Sequence, residues 1–197
     1  MRLISMTLAL ILLLSLGIPA NAAEVLPETS PAPTETPAPS EPPTPEDESF
    51  TIDLSIVGDC MLATYKGGYY KGSFNWYAAN KDPSYFLEKV KPVFEADDFT
   101  IANLETVLTD RKLTETPKKS ERAFWFKGPA SNAKILTSGS VEAVSLANNH
   151  TGDYGEAGRK DTIAAVEAAG LKYGNNDNTF VVEKNGFKIA VICHGLW

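Results

Sequence analysis

Val141-Glu142-Ala143-Val144-Ser145-Leu146-Ala147 is an almost wholly apolar run, and it stops at Asn148-Asn149-His150. A run of that length and composition reads as a buried strand. The polar triplet falls directly at its end. The same arrangement occurs twice upstream. Ile52, Leu54 and Ile56 alternate with Asp53 and Ser55, and Val57 leads into a tight turn at Gly58-Asp59. Phe99-Thr100-Ile101-Ala102 is a further apolar strand, running into Asn103-Leu104-Glu105. In open α/β sheets, ligands gather at the carboxyl ends of strands. Three strand ends therefore offer oxygen and nitrogen ligands to one place.

Helical patterns separate these strands. Asp82-Pro83 has the cap and first-turn residues of a helix start, and Phe86, Leu87, Val90, Val93 and Phe94 follow at helical spacing, with Pro92 expected to kink or end the helix. Residues 109–122 are polar and read as a surface loop. Phe124-Trp125-Phe126 leads to Gly128-Pro129 and a short helix near 131–137. A helix is expected from Gly155 to Ala169, with Gly170 as its stop. Thr179–Glu183 and Phe187–Cys193 flank Asn185-Gly186, a strong hairpin signal. Strands alternating with helices argue an α/β domain.

The chain has 197 residues and a formal net charge of −7. The acidity belongs to one segment: residues 24–50 hold seven acids and no base, leaving 17 bases and 18 acids over residues 51–197. No basic footprint for nucleic acid is present. Residues 1–23 read as a secretory leader, with Arg2, an apolar stretch from Leu3 to Ile18, and Ala20-Asn21-Ala22 as a cleavage pattern. Residues 24–50 carry eight of the 13 prolines and read as an extended, disordered linker. The protein is thus expected to be exported, extracellular or held at the cell envelope, with a membrane contact only through an uncleaved leader. Residues 51–197 form the folded domain. Cys60 and Cys193 are either buried free thiols or, in an oxidising compartment, a disulfide.

Asp59, Asn103, Glu105, Asn149 and His150 form a mixed oxygen and nitrogen set suited to Mn, Zn, Fe or Mg. Such an ion would polarise a phosphoryl or carbonyl oxygen and activate water, and an adjacent histidine would protonate a leaving group. Each residue also has a plain structural role open to it. Asp59 would cap a turn, Glu105 would be a solvated loop acid, Asn148-Asn149 would suit left-handed turn geometry, and His150 would be structural. His194, three residues from the end, reads as a frayed terminus more than as a further ligand.

Ile56-Val57-Gly58-Asp59-Cys60-Met61-Leu62, Ala102-Asn103-Leu104-Glu105 and Leu146-Ala147-Asn148-Asn149-His150, followed by Asp153-Tyr154-Gly155, Gly158, Thr162 and Ala169-Gly170-Leu171, resemble the bacterial capsule-synthesis protein CapA family, associated with poly-γ-glutamate. That family is similar to calcineurin-like metallophosphatases. The resemblance implies a β-sandwich flanked by helices, with a metal centre at strand ends. It makes Asp59, Glu105 and Asn149 metal ligands, His150 the proton donor or oxyanion contact, and Asn103 a supporting group. It further implies a role in capsule or poly-γ-glutamate biosynthesis, with the polymer or capsule synthase components as partners, and a metal-dependent, phosphoesterase-like hydrolase activity. The alternative is a non-catalytic surface module binding an anionic polymer or a synthase partner, or an inactive fragment. Met61 stands where metallophosphatases usually carry a histidine, and the family continues with further histidine-bearing strands. The chain is accordingly expected to hold the N-terminal part of such a domain.

Overall fold

The computed structural model describes residues 51–195; the leader (1–23) and linker (24–50) expected from sequence lie outside the described residues. In chain order the elements are strands β1 (Leu54–Cys60) and β2 (Thr64–Tyr65), helices α1 (Phe74–Asn80) and α2 (Lys91–Phe94), strands β3 (Phe99–Leu104), β4 (Val107–Leu108) and β5 (Phe126–Gly128), helix α3 (Ala133–Ser138), strand β6 (Ala143–Ser145), helix α4 (Gly155–Ala168) and strands β7 (Lys172–Gly174), β8 (Phe180–Lys184) and β9 (Phe187–Val191).

The main sheet is parallel, in the order β1-β3-β6-β7. Each new strand is added on the same side of the last. Parallel crossovers are nearly always right-handed, so a sheet that grows in one direction puts every connection on one face. The packing agrees. Ala102, Leu104, Val144 and Leu146 pack against Ile135 and Leu136 of α3 and Ala165 and Val166 of α4. On the opposite side, Phe99, Ile101 and Ala143 meet Phe180, Val182 and Val191 of the β8–β9 hairpin. The architecture is α/β, with helices on one face and the hairpin as a thin second β-layer on the other.

Two local signals act as their chemistry dictates. Asn185 and Gly186 both take positive φ, 51° and 79°, the conformation required of a two-residue hairpin turn. Gly170, at φ 81°, follows the C-cap Ala169 and stops α4.

Other expectations are corrected. The helix expected across residues 83–94 is instead a 3₁₀ turn at Pro83–Tyr85 and the four-residue α2. Pro92 has no N–H to offer the carbonyl four residues back, so it cannot sit inside a helix. It occupies the first turn of α2, where that donor would be unsatisfied anyway. Pro92 thus opens a helix where it was expected to close one. Phe86, Leu87 and Phe94 still reach the core, while Val90 and Val93 are exposed. β1 does not turn at Gly58-Asp59. It runs on to Cys60 with a register shift between Ile56 and Asp59, and Ile56 is left exposed. Neither Asn148 nor Asn149 adopts left-handed backbone geometry.

Candidate functional site

The parallel register decides which residues meet. Asp59 pairs with Asn103, Asn103 with Ser145, and Ser145 with Gly174, so these four form one row across the carboxyl end of the sheet. Glu105 follows β3 directly, and its backbone N–H donates to the Cys60 carbonyl at 3.3 Å. Past β6 the chain turns through Asn148 to Tyr154 before entering α4.

A chain of amides ties these ends together. Asn103 Nδ2 donates to Asp59 Oδ1 at 2.8 Å, and Asn103 Oδ1 accepts from Asn148 Nδ2 at 3.0 Å. Asn148 Nδ2 also donates to the Leu104 carbonyl at 3.0 Å, while Asn148 Oδ1 accepts the backbone N–H groups of His150 and Thr151, each at 3.1 Å. The orientation of both amides follows from their neighbours. A carboxylate at one end can only accept and backbone N–H groups at the other can only donate. The buried Asn148 therefore holds the turn through its side chain.

Asp59 and Glu105 lie within hydrogen-bonding reach of one another. Two carboxylates this close cannot both ionise cheaply. Hydrogen bonds from Glu105 and then Asn103 hold Asp59 below the usual carboxylate range. Burial, followed by the hydrogen bond and charge of Asp59, pushes Glu105 up to about 7. Glu105 therefore holds its proton to higher pH than an ordinary carboxyl, while Asp59 ionises more readily.

His150 faces this pair, with Nε2 4.0 Å from Glu105 Oε1. Its other nitrogen, Nδ1, lies 2.9 Å from Asp153 Oδ2. Asp153 is fully buried, accepts the Phe126 backbone N–H at 2.7 Å through the same oxygen, and pairs through Oδ1 with Lys118. The Phe126 ring sits edge-on to the imidazole, with centroids 4.9 Å apart. The small sheet β2-β5-β4 carries Phe126, so its purpose here is to wall the imidazole on one side. A carboxylate on Nδ1 fixes the ring and leaves Nε2 aimed at the carboxyl pair.

Of the residues expected from sequence, Asp59, Asn103, Glu105 and His150 are brought together. Asn149 lies beside them, exposed and without a side-chain hydrogen bond among the described residues. His194 is also exposed, and Cys60 and Cys193 are unpaired. Among the described residues no three His, Cys, Asp or Glu side chains form a ready metal-ligand group. The donors that do converge are the Asp59 and Glu105 carboxyls with the edge of the His150 imidazole beside Glu105, and a divalent cation can take the place of a proton between two carboxylates. To that extent the residues fit a hard divalent ion.

Sequence reasoning gave no site role to Lys118 or Phe126, took Asp153 only as part of the family resemblance, and took Asn148 only as part of that resemblance and of a turn. Asp153 had a usable signal, since it stands three residues after His150 in a turn. Lys118 had none. It lies in the loop read as mere surface, which the Thr116 N–H pins to the Asp153 carbonyl at 2.9 Å and which Arg111 clamps to Asp161 of α4 with two 2.7 Å bonds.

Among the described residues no helix is long and apolar enough to cross a membrane. The chain is 29% identical over 140 residues to the capsule biosynthesis protein CapA of Bacillus anthracis, covering 70% of this chain and 31% of that protein. It is 27% identical over 149 residues to the PGA biosynthesis protein CapA of Bacillus subtilis (strain 168), covering 72% of this chain and 36% of that one. The chain thus spans about a third of the length of these curated relatives. Residues 53–195, the strand ends included, match the family described as bacterial capsule synthesis protein PGA_cap, whose fold is metallophosphatase-like, and the chain belongs to that family.

Proposed function

We propose that this is an exported, cell-envelope protein of capsule or poly-γ-glutamate biosynthesis whose strand-end site is a metal-dependent hydrolase centre. The observation that carries the reading is the adjacent Asp59 and Glu105 carboxyls faced by a carboxylate-oriented imidazole. Asp59 and Glu105 hold the divalent ion (Mn, Zn, Fe or Mg), and the exposed Asn149 side chain is free to join them. When bound, the ion polarises a phosphoryl or carbonyl oxygen and makes water nucleophilic at neutral pH.

The remaining work belongs to the chain. Asn103, itself oriented by Asn148, holds Asp59 in place and, after Glu105, favours its ionised form. Asp153 holds Nδ1–H of His150, so a proton on Nε2 is directed at the leaving group. Phe126 excludes water from one side of the ring. The substrate class is a phosphoester or an amide-linked polymer.

Thermal unfolding with and without Mn²⁺ or Zn²⁺ tests the site. A ligand at 100 times its dissociation constant adds about 2.7 kcal/mol to the folded state. The wild-type midpoint should rise and that of Asp59→Ala should not, and metal-dependent turnover of a model phosphoester should be lost in His150→Ala. An equal rise in wild type and Asp59→Ala would remove the metal assignment. A second reading, a non-catalytic module for an anionic polymer or synthase partner, draws on the incomplete ligand group among the described residues. Metal binding with no turnover would favour it.

A further inference from the structure

Residues 111–125 form neither helix nor strand, yet they are strapped onto the turn that holds His150. The Thr116 hydroxyl donates to the Gly152 carbonyl at 2.9 Å and to the Asp153 carbonyl at 3.2 Å, beside the bond from its backbone N–H. The indole N–H of Trp125 donates back to the Thr116 carbonyl at 2.7 Å, which closes the loop on itself. Lys118 lies inside the closed stretch. Its Nζ donates to the Phe124 carbonyl at 2.8 Å, stands 5.7 Å from the centre of the Trp125 ring, and pairs with Asp153. Only 23% of the Lys118 side chain is exposed, although lysine ordinarily keeps its ammonium in water.

The two oxygens of Asp153 meet different things. Oδ2 accepts the Phe126 N–H at 2.7 Å and lies 2.9 Å from His150 Nδ1. Oδ1 is buried and receives no well-formed hydrogen bond among the described residues; the Lys118 ammonium is the charge set against it. An ammonium has three donors and no acceptor, so a carboxyl proton placed on Oδ1 would find nothing to bond. A carboxyl sealed from water with no cation beside it takes up a proton in preference to a bare charge. Asp153 without Lys118 would then donate through Oδ2 to Nδ1, and the neutral ring would keep its own proton on Nε2. With Lys118 in place Asp153 only accepts. Nδ1 must carry the proton, and Nε2, 4.0 Å from Glu105 Oε1, is left bare.

We infer that Lys118 is a positioning residue of the His150 site: its ammonium, delivered by the strap of residues 111–125, keeps Asp153 an acceptor and so selects the Nδ1–H tautomer of His150. Lys118 acts through Asp153 and not on the reacting atoms. The inference deepens the hydrolase reading and rests on it for what Nε2 does next. A bare Nε2 can take a proton and hand it to a leaving-group oxygen. An Nε2 that already carries the proton of the neutral ring has no lone pair with which to take another.

The test is the imidazole ¹⁵N spectrum of the full chain in EDTA and alkaline buffer, with His194→Gln throughout so that His150 alone reports. The parent should show a protonated Nδ1 and a bare Nε2. Lys118→Met keeps the stem and drops the charge, and should move the proton to Nε2 in most molecules. Trp125→Phe loosens the strap and keeps the ammonium, so it should lower the melting midpoint and leave the tautomer alone. An unchanged tautomer in Lys118→Met would overturn the inference. So would an equal change in Trp125→Phe, because the loop and not the charge would then set the ring. If Lys118→Met does not fold, Lys118→Met with Asp153→Asn should, since it leaves no unpaired buried charge; failure of both would overturn Asp153 as the group through which Lys118 acts. With Mn²⁺ added, Lys118→Met should keep the metal-induced rise in midpoint and lose turnover of a model phosphoester by about 100-fold or more, the scale of a lost general acid or base. A switched tautomer in Lys118→Met, with no metal-dependent turnover even in the parent, would overturn the hydrolase reading alone.

Discussion

Glu105 is the residue whose ionisation is most constrained by its neighbours. Burial, then the hydrogen bond and charge of Asp59, push its carboxyl up to about 7 against an ordinary 4.5, with His150 opposing the rise. A carboxyl whose folded value is raised stabilises the native state most fully below its unfolded value, and that stability is lost as pH rises through the folded one. The metal-free protein should therefore lose stability between about pH 4.5 and pH 7. In EDTA, the wild-type melting midpoint should fall across that window, and Glu105→Gln should flatten the fall. An equal slope in both proteins would mean that the Glu105 carboxyl is not raised in the folded state. Asp153 makes a different prediction. Asp153→Asn removes the charge opposite Lys118 and weakens the hold on His150, so unfolding by denaturant should show a loss of about 1–3 kcal/mol. Turnover should fall while the metal-induced rise in midpoint is kept. Asp153 was visible in the sequence as a residue near His150. Its complete burial and its tie to Lys118, thirty-five positions upstream, depend on a loop path that local pattern does not encode.

At the scale of elements, α4 sets the position of the turn that carries His150. Gly158 lets the helix lie close to β4: a Cβ there would stand 2.8 Å from the Tyr154 Cβ and 3.0 Å from the Val107 Cγ1. Thr162, one turn on, donates to the Gly158 carbonyl at 2.8 Å, and its hydroxyl accepts the Leu108 N–H at 3.0 Å. Gly158→Ala should cost about 1–3 kcal/mol, as overpacking does. It should also shift the His150 imidazole resonances, because the helix and the turn move together. Unmoved resonances with full stability would show that the helix can yield. α4 and the hairpin were legible because each has local chemistry at its ends. β7 was not. Lys172-Tyr173-Gly174 has no alternation to read, and it is a strand because β6 lies beside it in register.

For the whole molecule, the hairpin is the part held by packing more than by ladder bonds. It forms its own two-stranded sheet, and its tie to the main sheet is the cluster of Phe180, Val182 and Val191 on Phe99, Ile101 and Ala143. Phe180 and Phe99 have ring centroids 6.3 Å apart, and Lys184 bonds Asp98 at 2.8 Å. Phe180→Ala should cost about 3–5 kcal/mol, the range for emptying a buried aromatic site. Limited proteolysis should then cut first between residues 175 and 188. Cleavage elsewhere at wild-type rate would mean that the hairpin is held by other contacts.

The sequence by itself determined the kinds of element and the residues at their ends. Apolar runs that stop in Asp59, in Asn103 and Glu105, and in Asn149 and His150 are local facts, and so are the Asn185-Gly186 turn and the Gly170 stop. The α/β class and the idea of a strand-end site followed from them. The tertiary structure alone decided how those ends face one another. It set the register that places Asp59 against Asn103, the amide chain through Asn148, and the approach of Glu105 to Asp59. It also decided that Lys118 reaches the buried Asp153. These depend on contacts between residues far apart in the chain, whose energies come from burial and close approach and so have no local signature.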